Sequence, residues 1–110
     1  HAIDIDENAY MNSQENILLN NCNNIVIHKT NIANFNNKLL FDVILANINR
    51  NIILSELSQY NSRLSENGIL ILSGFLDSDY SIVNKCALDL GMRFKLQNEE
   101  NNWQCLVYIK

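Results

Sequence analysis

Short apolar runs alternate with longer amphipathic stretches along this chain, which is the pattern of a sheet whose strands are connected by helices. The apolar runs predict strands at residues 2–4, 25–28, 39–46, 69–73, 92–97 and 103–109. The amphipathic stretches predict helices over residues 7–20, 49–66 and 77–90. The predicted order is therefore β-α-β-β-α-β-α-β-β, an α/β chain with a polar connection at residues 31–38.

The ends and the buried faces of these helices are also predictable. Asp6 suits the N-cap of the first helix, because its carboxylate can accept from the free backbone N–H groups of the first turn. The buried stripe of the second helix follows the spacing i, i+4, i+7, i+11 and consists of Ile53, Leu57, Tyr60 and Leu64. We expect Asn67 and Gly68 to end that helix with a left-handed residue. The inward residues expected in the third helix are Val83, Cys86, Ala87 and Leu90, with Gly91 as its stop.

The last two strands are predicted to form an antiparallel hairpin, because both alternate apolar with polar residues and a polar turn at 99–102 separates them. Trp103 alternates with Cys105, Val107 and Ile109, so we expect its ring to pack in the core and not against a ligand. Parallel strands followed by a closing hairpin are unusual among doubly wound folds. This arrangement resembles the Rossmann-like methyltransferases that use S-adenosylmethionine, in which the last strand inserts antiparallel beside the fourth.

Polar residues stand at the ends of two predicted strands. The segment FDVILANINR at residues 41–50 contains a dense apolar run at 43–45, which predicts a buried parallel strand with Asn47 at its carboxyl end. Asp4 ends the first strand in the same way, and a carboxylate there can accept both hydroxyls of a ribose. Ligands of open α/β sheets lie beyond the carboxyl ends of the strands. The two residues together predict a nucleoside-like cofactor with chemistry beside it.

Length and charge narrow the possible classes of function. With 110 residues, the chain is long enough for one domain with a core but short for a complete doubly wound enzyme. The formal net charge is −4, the pI is near 4.9, and the sequence has no cluster of Lys and Arg. Direct binding to a nucleic-acid backbone is therefore not expected, whereas a basic protein partner is compatible with this charge.

The cysteines and the other potential ligands predict neither a metal site nor a disulfide framework. Cys22, Cys86 and Cys105 are far apart and lack the CxxC or CxxH spacing of metal sites. We expect buried reduced thiols and hence a cytoplasmic protein. No apolar run approaches the ~18 residues of a membrane span, and we expect no signal peptide. The sequence contains no chelating set of His, Asp and Glu and no triad of hydrolytic residues.

The start of the chain predicts that residues are missing before it. The sequence begins at His1, directly before a predicted strand, and not at a methionine. A parallel sheet normally has strands on both sides of its ligand site. We therefore expect these residues to be the C-terminal part of a longer protein.

Four segments together carry a resemblance to one family of enzymes. They are AIDIDENA, FDVILANINRNI, NGILILSGF and NNWQCLVYIK, and they span nearly the whole chain. They resemble the C-terminal two-thirds of the catalytic domain of the PrmA family, bacterial methyltransferases that modify the stalk-base protein of the large ribosomal subunit. The resemblance implies a Rossmann-like class I methyltransferase fold, incomplete at its N-terminus and closing with an antiparallel hairpin. It implies methyl transfer from S-adenosylmethionine to lysine side chains and the α-amine of that ribosomal protein.

The resemblance also assigns roles to individual residues. Asp4 matches the acid that binds the ribose hydroxyls of S-adenosylmethionine, and Ile5 would lie against the adenine. Asn47 matches the family's Asn beside the methionine moiety and the incoming amine, so it is both the catalytic candidate and a cofactor ligand. Asn31 and Ile32 fall where many class members place an Asp and an apolar residue beside the adenine. No metal is implied.

Departures from the family pattern leave alternatives open. The family's glycine-rich cofactor loop and its small N-terminal substrate domain are absent from residues 1–110, so we expect the intact enzyme to be active and this stretch alone to be inactive. A related methyltransferase with another protein or small-molecule substrate, or a non-catalytic remnant, remains an alternative. Asp4 could instead cap the first helix, and Asn47 could be a loop former. Asn49 and Arg50 begin the second predicted helix, which faces the mouth of the predicted site. The sequence leaves open whether these two residues contact the substrate.

Overall fold

The computed structural model describes residues 1–36 and 38–110, which form two compact units, His1–Asn37 and Lys38–Lys110. The elements of the first unit are β1 (Ala2–Asp4), α1 (Glu7–Leu19) and β2 (Ile27–Lys29). Those of the second unit are β3 (Phe41–Asn47), α2 (Arg50–Arg63), β4 (Leu64–Leu76), a 3₁₀ turn (Asp77–Asp79), α3 (Tyr80–Asp89), β5 (Arg93–Glu100) and β6 (Trp103–Ile109). Among the residues described, no helix is long and apolar enough to span a bilayer.

The first unit is a single β-α-β crossover. β1 and β2 pair in parallel, with Ala2 opposite Ile27 and Asp4 opposite Lys29. The prediction that Asp6 caps α1 is confirmed, because its Oδ1 accepts from the backbone N–H of Ala9 at 2.9 Å. The second strand begins two residues later than predicted, since Ile25 and Val26 precede β2 and are exposed.

In the second unit the strands form one sheet in the order β3-β4-β6-β5. β3 and β4 are parallel, whereas β6 pairs antiparallel with both β4 and β5. The predicted closing hairpin is therefore confirmed, as is the insertion of the last strand beside the fourth. α2 contacts β4, and α3 contacts β5 and β6. The fully buried side chains of these elements are Ile53, Leu57, Leu64, Leu70, Leu72, Val83, Ala87, Gln104, Leu106 and Tyr108.

Two tyrosine hydroxyls of the second unit have polar partners. The hydroxyl of Tyr108 donates to Oδ1 of Asn84 on α3 at 3.0 Å, which joins β6 to that helix. The hydroxyl of Tyr60 donates to the carboxylate of Glu56 one helical turn away. Burial raises the pKa of both tyrosines above their usual range, and for Tyr60 the bond to Glu56 raises it further. Both hydroxyls therefore stay protonated donors at neutral pH.

The prediction that residues 43–45 are buried is wrong, because two of them are exposed and Ile44 is only half-buried. Val43 is 49% exposed and Leu45 is 74% exposed. β3 lies at the edge of the four-stranded sheet, and successive side chains of a strand point to opposite faces. Only one face of this strand turns toward buried residues, as the 7% exposure of Ala46 indicates.

The end of the second helix also differs from the prediction. α2 ends at Arg63, and Leu64 already begins β4, although Leu64 is fully buried as the helical stripe predicted. Asn67 is left-handed with φ +60°, but it lies inside β4 where the register against β3 shifts. A Cβ on Gly68 would lie 2.9 Å from the carbonyl oxygen of Ser65. The Asn67 and Gly68 pair thus lies in an irregular stretch of β4 and does not end a helix.

The buried face of α3 is narrower than predicted, and the buried face of β6 is shifted by one residue from the predicted one. In α3, Val83 and Ala87 are buried as expected, whereas Cys86 and Leu90 are half-buried. Trp103 is 54% exposed, so the prediction that its ring packs in the core is wrong. The buried positions of β6 are offset by one residue and comprise Gln104, Leu106 and Tyr108.

Asn101 and Asn102 form the two-residue turn between β5 and β6. Their φ angles are +51° and +66°, and left-handed residues at both positions define the type I′ turn whose twist matches the flanking strands. Asn tolerates this conformation because its short polar side chain can hydrogen-bond locally. The turn therefore requires residues that tolerate a positive φ at these two positions.

We predict that Asn101→Ala destabilises the protein by about 1 kcal/mol, because Ala keeps the Cβ but lacks the short polar side chain that lets Asn adopt the left-handed conformation. Asn101→Gly should be neutral or stabilising. Urea unfolding of the two variants checks this difference. Equal stability of the Ala and Gly variants would contradict the type I′ conformation.

Candidate functional site

Asp4 is the last residue of β1 and stabilises the turn into α1. Its Oδ1 accepts from the backbone N–H of Asp6 at 2.8 Å, and its backbone oxygen accepts from the N–H of Thr30. The helix itself is capped by Asp6, so the capping alternative for Asp4 is wrong. The second carboxylate oxygen of Asp4 makes no hydrogen bond within residues 1–36 and 38–110. That oxygen can still accept from a ligand hydroxyl.

The three other residues predicted near the adenine differ in what they can offer. Ile5 is 67% exposed and presents free apolar surface. Oδ1 of Asn31 accepts from the backbone N–H of Asn34 at 2.9 Å, which leaves one lone pair on that oxygen for a ligand. Ile32 is only 6% exposed and is already covered by the protein. The contacts of these residues with a cofactor remain predictions.

A surface cavity of about 450 Å³ lies at the end of β2 in the first unit. The residues that line it are Tyr10, Ile27, His28, Lys29, Thr30, Asn34, Phe35 and Asn36. The His28 ring stacks on the His1 ring with centroids 5.2 Å apart and meets the Phe35 ring edge-on at 5.0 Å. Lys29 forms an ion pair with Glu7. Sequence reasoning missed this cavity, because its walls come from three separate segments.

Asn47 ends β3 in the second unit, directly opposite Ser73 of β4. Its side chain is exposed, and its carboxamide makes no hydrogen bond to any residue that the structure describes. The next residue, Ile48, donates its backbone N–H to the oxygen of Ser73 at 3.1 Å. The loop after β3 is thus held against β4, while the amide of Asn47 stays available to a ligand.

The cavity beside Asn47 has a volume of about 460 Å³ and lies at the carboxyl ends of β3 and β4. Its lining residues are Asn47, Ser73, Gly74, Asn98, Glu99, Glu100, Trp103, Gln104 and Cys105. Sequence reasoning identified Asn47 but missed the wall that the β5–β6 hairpin supplies. The alternation in β6 predicted the face that contains Trp103 as the buried one, whereas the buried face is the opposite one and Trp103 is exposed.

A buried amide holds the hairpin wall of this cavity. Gln104 is 1% exposed, and its Nε2 donates to Oε2 of Glu99 at 2.9 Å and to Oδ1 of Asp77 at 3.2 Å. Its Oε1 accepts from Nε2 of Gln97 at 2.6 Å. Every polar atom of this buried side chain has a partner, as burial requires. The network ties the hairpin to the turn before α3.

Asn49 and Arg50 have structural partners at the start of α2. Oδ1 of Asn49 accepts from the backbone N–H of Ile52 at 3.1 Å, so Asn49 is the N-cap. Nη1 of Arg50 donates to Oδ1 of Asp79 at 2.8 Å, and its other two nitrogens donate to Oδ1 of Asn51. The Arg50 guanidinium thus connects α2 to the turn before α3. These contacts favour a structural role for both residues.

No group of three or more His, Cys, Asp and Glu residues in the described part of the chain is arranged to hold a metal ion. The three cysteines are free. The polar groups that remain available at the strand ends include one carboxylate oxygen of Asp4 in the first unit and the carboxamide of Asn47 in the second. They suit hydrogen bonding to an organic ligand.

Solved structures establish the class of fold. The chain is similar to a methyltransferase from Pyrococcus furiosus, with a TM-score of 0.81 and 21% identity over 99% of this chain and 61% of that one. It is also similar to the ribosomal protein L11 methylase of Lactobacillus delbrueckii subsp. bulgaricus, with a TM-score of 0.90 and 28% identity over 97% of this chain and 55% of that one. The fold is that of the Rossmann-like class I methyltransferases, as the sequence predicted.

Within that class, the chain belongs to the PrmA family. The family model, described as "Ribosomal protein L11 methyltransferase (PrmA)", matches residues 1–110. A ribosomal protein L11 methyltransferase of Porphyromonas gingivalis is 41% identical over 96% of this chain, and one of Phocaeicola vulgatus is 38% identical over 98%. The chain spans 36% and 38% of the lengths of these two relatives. The resemblance seen in the sequence is confirmed.

We predict that Asn49→Ala lowers the stability of the protein by about 1 kcal/mol, because the backbone N–H of Ile52 loses its capping partner. Asn49→Ser, which keeps a capping oxygen, should retain most of that stability. Chemical denaturation of the three proteins checks the order. If both variants unfold at the same denaturant concentration as the wild-type protein, the capping bond contributes nothing.

Proposed function

We propose that this chain takes part in methyl transfer from S-adenosylmethionine to amino groups, lysine side chains and an α-amine, of a large-subunit ribosomal protein, L11 by the names of its relatives. Residues 1–110 would act as the C-terminal part of one longer methyltransferase domain. The coverage of 36% of the Porphyromonas gingivalis relative supports this arrangement. A ribosomal substrate places the reaction in the cytoplasm.

The residues of the first unit fit one half of S-adenosylmethionine. The strand-end carboxylate of Asp4 has an oxygen without a hydrogen bond in the described structure, which suits a ribose hydroxyl. The exposed side chain of Ile5 offers an apolar surface for the adenine. When bound, this cofactor supplies a methyl group made electrophilic by the adjacent sulfonium. The role of Asp4 and Ile5 is to bind and orient the nucleoside half.

Asn47 is the observation that carries the proposed chemistry. Its carboxamide stands at the end of a parallel strand, lines a cavity of about 460 Å³ and has no hydrogen-bond partner in the described structure. Its Oδ1 can accept a hydrogen bond from a neutral amine and so orient the lone pair of the nitrogen. The carboxamide does not compete as a nucleophile. In-line displacement at a methyl group needs little beyond such positioning.

We predict that Asp4→Ala in the full-length methyltransferase weakens the binding of S-adenosylmethionine by roughly 1.5–3 kcal/mol, the value of a hydrogen bond to a charged group. Calorimetric titration measures this change. Asp6→Ala is the matched control, because it removes the helix cap and should lower stability while the cofactor affinity stays near wild type. Unchanged affinity in Asp4→Ala would remove Asp4 from the cofactor site.

We predict that Asn47→Ala in the same protein lowers the rate of methyl transfer more than it weakens cofactor binding, because the lost hydrogen bond acts mainly in the transition state. Single-turnover rates compared with cofactor titrations separate the two effects. Asn98→Ala is the control, since Asn98 lines the same cavity and should leave the rate nearly unchanged. A loss of affinity with a normal rate in the bound state would make Asn47 a cofactor ligand only.

A further inference from the structure

Gly74 lies against the side chain of Asn47 more closely than any residue with a Cβ could. A Cβ built on Gly74 would lie 2.7 Å from Oδ1 of Asn47. It would also lie 2.8 Å from both the backbone nitrogen and the backbone oxygen of Ile48. These separations are far below van der Waals contact. The oxygen of Asn47 therefore occupies space that exists because residue 74 has no side chain.

The backbone at Gly74 is itself unusual. Its φ angle is +90°, a conformation that other residues rarely adopt. Ser73 pairs with Cys105 of β6 and Phe75 pairs with Gln104, so Gly74 is the extra residue of a bulge. Bulges bend a strand and redirect the residues beside them, and they are frequent next to active sites. Here the bulge lies where β4 reaches the loop after β3.

The neighbours of Gly74 on both sides are anchored. The oxygen of Ser73 accepts from the backbone N–H of Ile48 at 3.1 Å, and Phe75 is 2% exposed. β4 and the loop after β3 cannot move apart at this point without loss of that hydrogen bond or of core packing. A side chain at residue 74 would therefore displace the carboxamide of Asn47 and the peptide that follows it.

We propose that Gly74 is a positioning residue for methyl transfer, and that it acts by leaving open the space that the Asn47 carboxamide occupies. This inference rests on the proposed role of Asn47. A displacement of about 1 Å in a group that orients a reactant can lower a rate about 100-fold. Gly74 thus affects the reaction through Asn47 and without touching the amine.

Gly91 provides a matched control for the backbone effect. It is also left-handed, with φ +81°, but a Cβ added there would have no atom within 4 Å. Gly91→Ala therefore introduces a similar backbone strain with no clash. The difference between Gly74→Ala and Gly91→Ala isolates the contact with Asn47 and Ile48.

The test measures cofactor affinity, thermal stability and single-turnover methyl transfer in the full-length methyltransferase. The variants are Gly74→Ala, Gly91→Ala, Asn47→Ala and the double variant Asn47→Ala/Gly74→Ala. We expect Gly74→Ala to lower the transfer rate roughly 100-fold, with cofactor affinity near wild type, and Gly91→Ala to keep the rate. In the Asn47→Ala background, Gly74→Ala should lower the rate no further, because the residue that it positions is gone.

The possible outcomes separate the two proposals. Equal losses of rate from Gly74→Ala in both backgrounds would overturn the positioning role of Gly74 while leaving that of Asn47 intact. A normal rate in Asn47→Ala would overturn the proposed function of Asn47 and this inference with it. If Gly74→Ala does not fold, Asn47→Gln decides the question, since it keeps the amide but moves its oxygen. A rate as low as that of Asn47→Ala supports the inference, and a wild-type rate contradicts it.

Discussion

The parallel pairing of β3 with β4 is the constraint on which the second unit depends. It runs from Val43 opposite Ile69 to Asn47 opposite Ser73, so both strands reach the same edge of the sheet at their carboxyl ends. Parallel strands need a crossover connection, and α2 provides it by covering one face of the sheet. The cavity with Asn47 forms where this pairing ends and where the hairpin of β5 and β6 adds a further wall.

Polar groups around this cavity divide into those with partners and those without. The amide of Gln104 and the guanidinium of Arg50 are hydrogen-bonded to neighbouring side chains, which ties the hairpin and α2 to the turn before α3. The carboxamide of Asn47 has no such partner among the described residues. Hydrogen-bonded neighbours beside this available amide suit a site whose chemistry is mainly the positioning of a reactant.

Sequence reasoning located the strand-end residues better than it located their surroundings. Asn47 was predicted at the end of a parallel strand because the apolar run before it has a clear length and a polar stop, and β3 ends there. Trp103 was misplaced, since alternation reveals two faces of a strand but not which one is covered. A glycine inside a strand pattern can signal a bulge. The glycine at residue 74 therefore carried a signal, but its contact with Asn47 did not appear in the sequence.

The sequence by itself determined the family, from motifs spread along the chain, and the features that depend on near neighbours: the N-cap at Asp6, the α2 stripe of Ile53 and Leu57, and the closing hairpin. Such features follow from local hydrogen bonding and from the periodicity of side chains, which residues a few positions apart already define. Only the tertiary structure decided that β3 is an edge strand, that Gln104 is buried in place of Trp103, and that Gly74 meets Asn47. These depend on which distant segments pack together, because exposure and close contact are properties of the packed neighbours and not of the chain itself.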